Sequence, residues 1–320
     1  MMFTEELLNK YALPLSETEE QQCKNAIRMV VDAIKPLGFE ETRSTISPMV
    51  PDTPSFFQEL KSLGGTRRIK VFVQGSYANN TNVRTQSDVD IAIVEENIFI
   101  TKYREGGNDS AYGFEVVKPR VLTFKDEIEE LFKRKFPGDV ERKNKSIKIN
   151  GNTYRKDADG VPCKRYKDFS KDYWNDPENY VKGIIIFADD GERIVNYPEQ
   201  HIANGKEKNV ATNYYYKKMV RIIKKMRLLM QESKVQSAEN VSSFALESLM
   251  WNIPTDEYLE LAEYRKVYMF DRLVDYLNAN IRDLPIYKEA NGIKDLCLDV
   301  QKLNQLSDFI RDLRKFYNYQ

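Results

Sequence analysis

The apolar residues of this chain recur with two different periods. In residues 68–74 and 89–95 they alternate with polar residues or form short runs, which is typical of strands. In residues 214–231 they recur every three or four positions, which predicts a long amphipathic helix. The pattern of apolar residues beyond this helix predicts further helices, whereas the pattern in the first half predicts a mixture of helices and strands. We therefore predict an α+β lobe (residues 1–210), a helical lobe (residues 211–320) and a ligand cleft between them.

Caps and turn residues mark further elements. Ser16 and Glu19 have the spacing of a capping box, which predicts a helix over residues 16–36. Residues 40–66 contain three prolines and a Gly-Gly pair, so we expect an irregular segment there. The remaining predictions are helices over 122–136, 241–251, 256–280 and 295–316, and hairpins turning at Asn150-Gly151 and Asp190-Gly191.

The composition narrows the possible chemistry. The 49 Lys and Arg residues equal the 49 Asp and Glu residues, so the chain lacks the net basic charge typical of a protein that coats nucleic acid. One histidine and three scattered cysteines argue against a zinc hydrolase and against a CxxC zinc cluster. No apolar run has the length of a membrane span, and residues 1–10 lack the pattern of a signal peptide. We expect a cytoplasmic protein that acts through carboxylates, hydroxyls and lysines.

The segment with the most informative chemistry joins the first two predicted strands. It begins with Gly75 and Ser76, continues through a polar loop, and ends with Asp88 and Asp90 at the start of the second strand. Residues two apart in a strand point to the same face, so the two carboxylates should project together and repel each other unless a cation lies between them. A Gly-Ser turn one loop away offers N–H groups and a hydroxyl to phosphate oxygens. The alternative is a solvated strand edge, but aspartate is depleted in strands.

These residues match a known pattern. Gly-Ser, eleven residues and Asp-Val-Asp resemble the signature of the DNA polymerase β-like nucleotidyltransferases. The fuller string GSYANNTNVRTQSDVDIAIV, with YRKDADGVPCKRY, IVNYPEQH and VSSFALESLMWNIP, resembles the bacterial cyclic-oligonucleotide synthases (CD-NTases) related to cyclic GMP-AMP synthase and oligoadenylate synthase. The resemblance extends over roughly residues 68–254. It implies a polymerase β-like catalytic lobe, a mixed sheet flanked by helices, followed by an oligoadenylate-synthase-like helical lobe.

A polymerase-type reaction needs a third carboxylate near Asp88 and Asp90 to hold the metal that activates the attacking hydroxyl. Asp157 and Asp159 share strand parity, so their periodicity does not choose between them. The family pattern places the acid two residues before a valine, which selects Asp159. The resemblance thus implies a Mg²⁺ site, with Mn²⁺ as an alternative, at these three acids. Gly160 departs from the family's branched residue, which leaves a plain turn open here.

The resemblance also assigns contacts to the nucleotide. The basic run of residues 217–227 contains six Lys or Arg residues and no acid, and most of these residues suit a solvated helix face. In the family, one lysine of this helix and a later serine grip the triphosphate, and the matching positions are Lys224 and Ser243, alongside Gly75 and Ser76. Ser242 as a helix cap is the structural alternative for the serine pair.

Asn196, in the string IVNYP, is the candidate for base recognition. In the family's pyrimidine-using CdnE clade an asparagine at this position contacts uracil, and an amide offers both a donor and an acceptor to a base edge. The structural alternative is that Asn196 ends a strand before Pro198. The single histidine, His201, is more suited to ordering its loop than to catalysis.

The resemblance therefore implies an enzyme that joins two NTPs into a cyclic dinucleotide and releases pyrophosphate. UTP and ATP are the expected substrates, and cyclic UMP-AMP or cyclic di-UMP the expected products. Such enzymes serve bacterial anti-phage signalling (CBASS), in which a separately encoded effector protein senses the product. We expect a monomer that needs neither a membrane nor nucleic acid. The alternatives are a purine cyclic dinucleotide or trinucleotide synthase, an RNA-directed nucleotidyltransferase and a silent nucleotide-binding module.

Overall fold

The computed structural model describes residues 3–41, 47–49, 55–62, 65–83, 88–118 and 120–318 of the 320-residue chain. These residues form two compact units, which do not follow the predicted boundary at residue 210. The sheet unit consists of Ser16–Ala78 and Asp88–Glu199, and the helical unit of Met1–Leu15, Asn79–Ser87 and Gln200–Gln320. Phe3, Leu8 and Ala12 explain the difference, because these residues pack into the apolar core of the helical unit.

In chain order the helices are α1 (Glu5–Tyr11), α2 (Glu17–Ile34), α3 (Gly75–Ala78), α4 (Phe124–Lys135), α5 (Pro198–Ala211), α6 (Tyr216–Glu232), α7 (Ser243–Asn252), α8 (Thr255–Glu260), α9 (Lys266–Ala279) and α10 (Val300–Asn318). The strands are β1 (Phe39–Glu41), β2 (Ser47–Pro48), β3 (Phe56–Ser62), β4 (Arg68–Val73), β5 (Val89–Tyr103), β6 (Val140–Arg142), β7 (Ile147–Ile149), β8 (Ala158–Phe169), β9 (Val181–Phe187) and β10 (Arg193–Asn196). Short 3-10 helices cover Lys35–Leu37, Asp109–Tyr112, Gln236–Ala238 and Ile281–Ile286.

The strands of the sheet unit form one mixed sheet in the order β1-β3-β4-β5-β8-β7-β6, with β9 beside β8 and β10 beside β9. The pairing of β5 with β8 is parallel, and the other named strand pairs are antiparallel. Residues Ile91–Val94 of β5 are fully buried, because both faces of the sheet are covered at this point. The mixed sheet with flanking helices and the separate helical unit confirm the α+β prediction.

Several local predictions are confirmed. The capping box of α2 forms as expected, since the Ser16 hydroxyl accepts from the Glu19 N–H and the Glu19 side chain accepts from the Ser16 N–H. The turn at Asp190-Gly191 joins β9 to β10 as an antiparallel hairpin. The apolar stripe of α6 is fully buried in the core of the helical unit; its members are Met219, Ile222, Ile223, Met226 and Met230.

Two local predictions are wrong, and a third is confirmed only in part. Residues 40–66 contain β3, which is ordered by its pairing with β4 despite the nearby prolines and glycines. The hairpin at Asn150-Gly151 forms, since β7 and β8 pair antiparallel, but its connection covers residues 150–157 and is longer than a two-residue turn. The predicted helix over 256–280 is broken into α8 and α9. No Gly or Pro marks this break: α8 ends with Leu261 as its C-cap, and α9 begins at Lys266.

Among the described residues, none of the helices combines the length and the hydropathy that a membrane span requires.

Candidate active site

The parallel pairing of β5 with β8 places Asp90 directly opposite Asp159. Asp88 lies two residues before Asp90, at the entry to β5. The three carboxylates are close enough to act on one another. Burial, followed by repulsion from Asp159 and Asp88, raises the pKa of Asp90 to about 7. Burial also raises the pKa of Asp159, opposed by a hydrogen bond from the Ser146 hydroxyl and reinforced by Asp88. The structure therefore brings the three predicted acids together in one like-charged cluster.

Asp157, the competing third acid, has different partners. It lies just before β8, and its carboxylate accepts from the Gly151 N–H and pairs with Lys148 at 2.9 Å. The hydrogen bond from Lys148 is the main cause of its lowered pKa. Asp157 does not contribute to the raised pKa of Asp90. The register of β8 thus separates two residues that strand parity could not distinguish.

Gly75 abuts the carboxylate cluster from the end of β4. Its φ of +66° lies in the left-handed region, and a Cβ at this position would come within 2.6 Å of the Asp90 Oδ2 atom. The Gln74 N–H donates to the Asp90 carbonyl at 2.9 Å, which fixes the turn against β5. Ser76 follows in α3, half-buried, and its hydroxyl has no hydrogen-bond partner in the part of the chain that the structure describes.

The residues of this cluster fit a hard divalent cation. Lys148 places its ammonium 3.2 Å from the Asp88 Oδ2 atom, so one positively charged side chain lies beside the acids. Within the described ranges, no three carboxylate, imidazole or thiol side chains converge as a ready-made metal cage. A closed cage is not what Mg²⁺ requires, because it is usually held by one or two carboxylates together with substrate phosphates. Carboxylate oxygens whose repulsion raises a pKa are suitable donors.

Asn196 is the last residue of β10, and its backbone pairs with Ile184 of β9. Its side chain is half-buried and has no hydrogen-bond partner among the residues that the structure describes. The strand-ending alternative is therefore correct for the backbone of Asn196. Its side-chain amide is available to bind a group outside the described residues.

Lys224 and Ser243 belong to the helical unit. Lys224 is 4% exposed, and its Nζ atom lies 2.8 Å from the Glu247 Oε2 atom and 3.1 Å from the Thr81 hydroxyl. The solvated-face interpretation of the basic helix is thus wrong for Lys217, Arg221 and Lys224, all of which are buried. Ser242 is the N-cap of α7 and accepts from the Ala245 N–H, so the capping alternative applies to Ser242 and not to Ser243.

Sequence reasoning missed the residues that surround the predicted ones. Lys148, beside Asp88, comes from β7, and Glu247, beside Lys224, comes from α7. Thr81 lies in the polar loop between Gly75 and Asp88 and donates to Glu247 at 2.7 Å. One signal was available for Glu247: it follows Ser243 by four residues, and residues at this spacing share a helix face.

The chain resembles known proteins over its whole length. Residues 203–318 match the family model of the cGAS/DncV-like nucleotidyltransferase C-terminal helical domain, and residues 54–148 match that of the nucleotidyltransferase domain. Cyclic GMP-AMP synthase CdnE03 of Staphylococcus schleiferi is 46% identical over 100% of this chain and 98% of its own. Cyclic dipyrimidine nucleotide synthase CdnE of Cecembia lonarensis is 31% identical over 92% of this chain and 90% of its own. The solved structure of the CdnE cyclic dinucleotide synthase of Elizabethkingia meningoseptica has a TM-score of 0.72 at 28% identity, covering 99% of this chain and 98% of that one.

The matched domains and the mixed sheet with its acid cluster define a nucleotidyltransferase. The chain belongs to the CD-NTase family of cGAS/DncV-like nucleotidyltransferases and is of the CdnE type. The predicted family, fold class and enzyme class, a cyclic oligonucleotide synthase, are confirmed. Nucleotidyltransferases of this kind generally use divalent metal ions.

Proposed function

We propose that this enzyme joins two nucleoside triphosphates into a cyclic dinucleotide and that Asp88, Asp90 and Asp159 are its catalytic acids. The observation that carries the proposal is the opposition of Asp90 and Asp159 across two parallel strands, with Gly75 packed against Asp90. In each of two transfers a ribose hydroxyl attacks an α-phosphorus. One O–P bond forms, the bond to the β-phosphate oxygen breaks, and pyrophosphate leaves. The second transfer closes the ring.

The three acids would hold Mg²⁺ or Mn²⁺, which when bound neutralises phosphate charge and lowers the pKa of the attacking hydroxyl. The chain's own residues bind and orient the nucleotides. We assign Ser76 to a phosphate oxygen, since its hydroxyl has no other acceptor or donor among the described residues. Lys224 and Ser243 are assigned to the phosphate tail of a nucleotide, Lys224 as a point charge. Holding the reacting atoms in line is the main contribution of the protein to the rate.

We assign Asn196 to the base edge of a uracil, so that UTP, together with ATP or a second UTP, is the expected substrate. The half-buried amide without a partner among the described residues supports this assignment. The name of the relative from Cecembia lonarensis, a cyclic dipyrimidine nucleotide synthase, supports it as well. A purine product is the second candidate, because the 46% identical relative from Staphylococcus schleiferi is named a cyclic GMP-AMP synthase.

The experiment that tests both assignments incubates the enzyme with each pair of the four labelled NTPs and Mg²⁺, and determines the mass of the phosphatase-resistant product. We expect a uridine-containing ring from wild type and none from the Asp88→Ala, Asp90→Ala double variant. Asn196→Ala should reduce uridine incorporation at least about fivefold, since one bidentate base contact contributes about 1–3 kcal/mol of discrimination. Asn304→Ala, at an exposed position of α10, is the matched control.

The outcomes separate the two assignments. If only purine rings form, the role of Asn196 in uracil recognition is wrong and the enzyme assignment stands. If wild type forms no more product than the double variant, the enzyme assignment itself fails. Addition of single-stranded RNA to the same reactions tests the RNA-directed alternative, since labelled nucleotides would then extend the RNA.

We further propose that the product is a second messenger in anti-phage defence and that a separately encoded effector protein senses it. We propose that the enzyme acts in the cytoplasm as a monomer without nucleic acid. Sedimentation of the purified protein tests the oligomeric state, and the rate of synthesis with and without added nucleic acid tests the last point.

A further inference from the structure

The helical unit contains a buried polar cluster of which the proposed chemistry uses only Lys224. It consists of Thr81, His201, Lys224 and Glu247, each less than 10% exposed. Thr81 lies in the connection that follows α3, His201 on α5 and Lys224 on α6. All three contact the Glu247 carboxylate, which belongs to α7. Burial of such groups is costly unless they are hydrogen-bonded to one another. The mutual hydrogen bonds of these four side chains therefore offset the cost of burying them.

Both oxygens of Glu247 are used. Its Oε2 atom accepts from the Lys224 ammonium at 2.8 Å and from the Thr81 hydroxyl at 2.7 Å. Its Oε1 atom lies 2.8 Å from the His201 Nε2 atom, which orients the carboxylate from the other side. The carboxylate is thus held by three groups, and its rotation about the side chain is fixed.

Lys224 is in turn held by two acceptors. Its Nζ atom contacts Glu247 and, at 3.1 Å, the Thr81 hydroxyl. An ammonium has three N–H donors, so one donor has no acceptor among the residues that the structure describes. A lysine side chain normally loses much rotamer entropy when it is fixed against a ligand. In this unit two groups of the chain itself fix the side chain, which is the arrangement expected of a preorganised donor.

The other buried basic residues of α6 differ from Lys224. Arg221 donates to the carbonyls of Ala12 and Asn80, and so serves the packing of the unit. Lys217 is buried without a hydrogen-bond acceptor for its ammonium among the described residues. Lys224, in contrast, is paired with the Glu247 carboxylate at 2.8 Å. Glu247 also follows Ser243 by one helical turn on α7, so one helix face presents both the carboxylate and the proposed phosphate-binding hydroxyl.

We propose that Glu247, supported by Thr81 and His201, is a positioning residue that holds the Lys224 ammonium in the orientation needed for a nucleotide's phosphate tail. The proposal rests on the proposed function, because it takes the phosphate contact of Lys224 from there. A positioning residue differs from one member of a purely structural ion pair in one measurable respect. A structural pair would affect stability alone, whereas a positioning residue affects nucleotide affinity through Lys224.

The test is a double-mutant cycle with Glu247→Gln and Lys224→Met. KM for each NTP and kcat are obtained from pyrophosphate release, and the equilibrium affinity for each NTP from dialysis. Glu247→Gln should raise KM and weaken binding at least about tenfold in the wild-type background, the loss of one charge-assisted contact. In the Lys224→Met background the same substitution should change both by less than about twofold, because the group through which it acts is gone.

Two further variants keep the test decisive. Thr81→Val retains the Lys224–Glu247 pair and should raise KM about threefold, and it serves if Glu247→Gln does not fold. Asp271→Asn breaks the 2.7 Å pair with Arg314 in the same unit and should lower the melting temperature without changing KM. It therefore controls for general destabilisation.

Two results would overturn the proposal: equal effects of Glu247→Gln on affinity in both backgrounds, or a lower melting temperature with unchanged affinity. Absence of pyrophosphate release by wild type with every NTP pair would instead contradict the proposed function. In that case the dialysis cycle still decides whether Glu247 acts through Lys224.

Discussion

Each unit contains a carboxylate that is removed from solvent, half-buried in the case of Asp90 and fully buried in the case of Glu247, and the surroundings of the two differ in the sign of their charge. In the sheet unit Asp90 is surrounded by two further acids, and burial and repulsion raise its pKa to about 7. In the helical unit burial alone would raise the pKa of Glu247, but Lys224 and His201 outweigh burial and hold this pKa well below its usual value. Removing the counter-ion of a buried carboxylate is strongly destabilising, so Glu247 depends on Lys224. The acids of the sheet unit have one ammonium beside them, that of Lys148 at Asp88, and the repulsion that remains is the arrangement expected of a site that binds a further cation.

The largest expected effect concerns the acid cluster. The Asp88→Asn, Asp90→Asn double variant should lose cyclic dinucleotide synthesis by about a thousandfold or more, because both changes remove proposed donors to a catalytic metal. Asp157→Asn is the matched control, and it should retain activity within about threefold, since Asp157 pairs with Lys148 and not with Asp90. Initial rates of pyrophosphate release measure both. Greater loss from Asp157→Asn than from Asp159→Asn would contradict the assignment of the third acid.

The second effect concerns the helical unit. Glu247→Gln should lower the free energy of unfolding by about 3 kcal/mol, as expected when one partner of a buried ion pair is removed. The difference from wild type should shrink in acid. A carboxyl with a depressed folded-state pKa contributes stability above its unfolded-state value near 4.5 and loses it as the pH falls further. Urea unfolding at pH 7 and pH 4 measures both, and an unchanged difference at the two pH values would contradict this account.

A smaller effect is expected at the turn that contacts Asp90. Gly75→Ala should lower the free energy of unfolding by about 2 kcal/mol, from the positive φ and from the contact of the new Cβ with the carboxylate. Gly138→Ala is the matched control, since Gly138 has a φ of +83° and a Cβ added there would meet no described atom within 4 Å. We expect about 1 kcal/mol for this control. Synthesis should fall only for Gly75→Ala, and equal effects on activity would show that the Asp90 contact is unimportant.

The smallest expected effect is a gain in the free energy of unfolding rather than a loss. In EDTA at pH 8, Asp90→Asn should raise the free energy of unfolding by about 1 kcal/mol, because it removes a like charge from the cluster. An acid with a raised folded-state pKa costs stability as the pH rises from its unfolded value near 3.8 through about 7, so the gain should vanish near pH 4. Mg²⁺ should stabilise wild type and not the variant. Thermal melts in EDTA and in Mg²⁺ test this, and a destabilised Asp90→Asn in EDTA would refute it.

Much of the site was open to prediction from sequence because its signals are local. The alternation of Asp88 and Asp90, the Gly75-Ser76 turn and the capping box at Ser16 each depend on residues a few positions apart. The relative positions of the residues in each pattern therefore follow from local backbone geometry alone. Resemblance to a family added Lys224, Ser243 and Asn196, whose proposed roles no local pattern could have assigned.

The sequence by itself determined the periods of β4, β5 and α6 and the place of the first two acids, since these follow from steric and hydrophobic rules within one segment. Only the tertiary structure shows that Asp159, and not Asp157, lies opposite Asp90, because that depends on the register of β8 against β5. The same holds for Lys224, whose carboxylate partner comes from another helix. Contacts between segments distant in sequence depend on how the whole chain packs, and no local period encodes that packing.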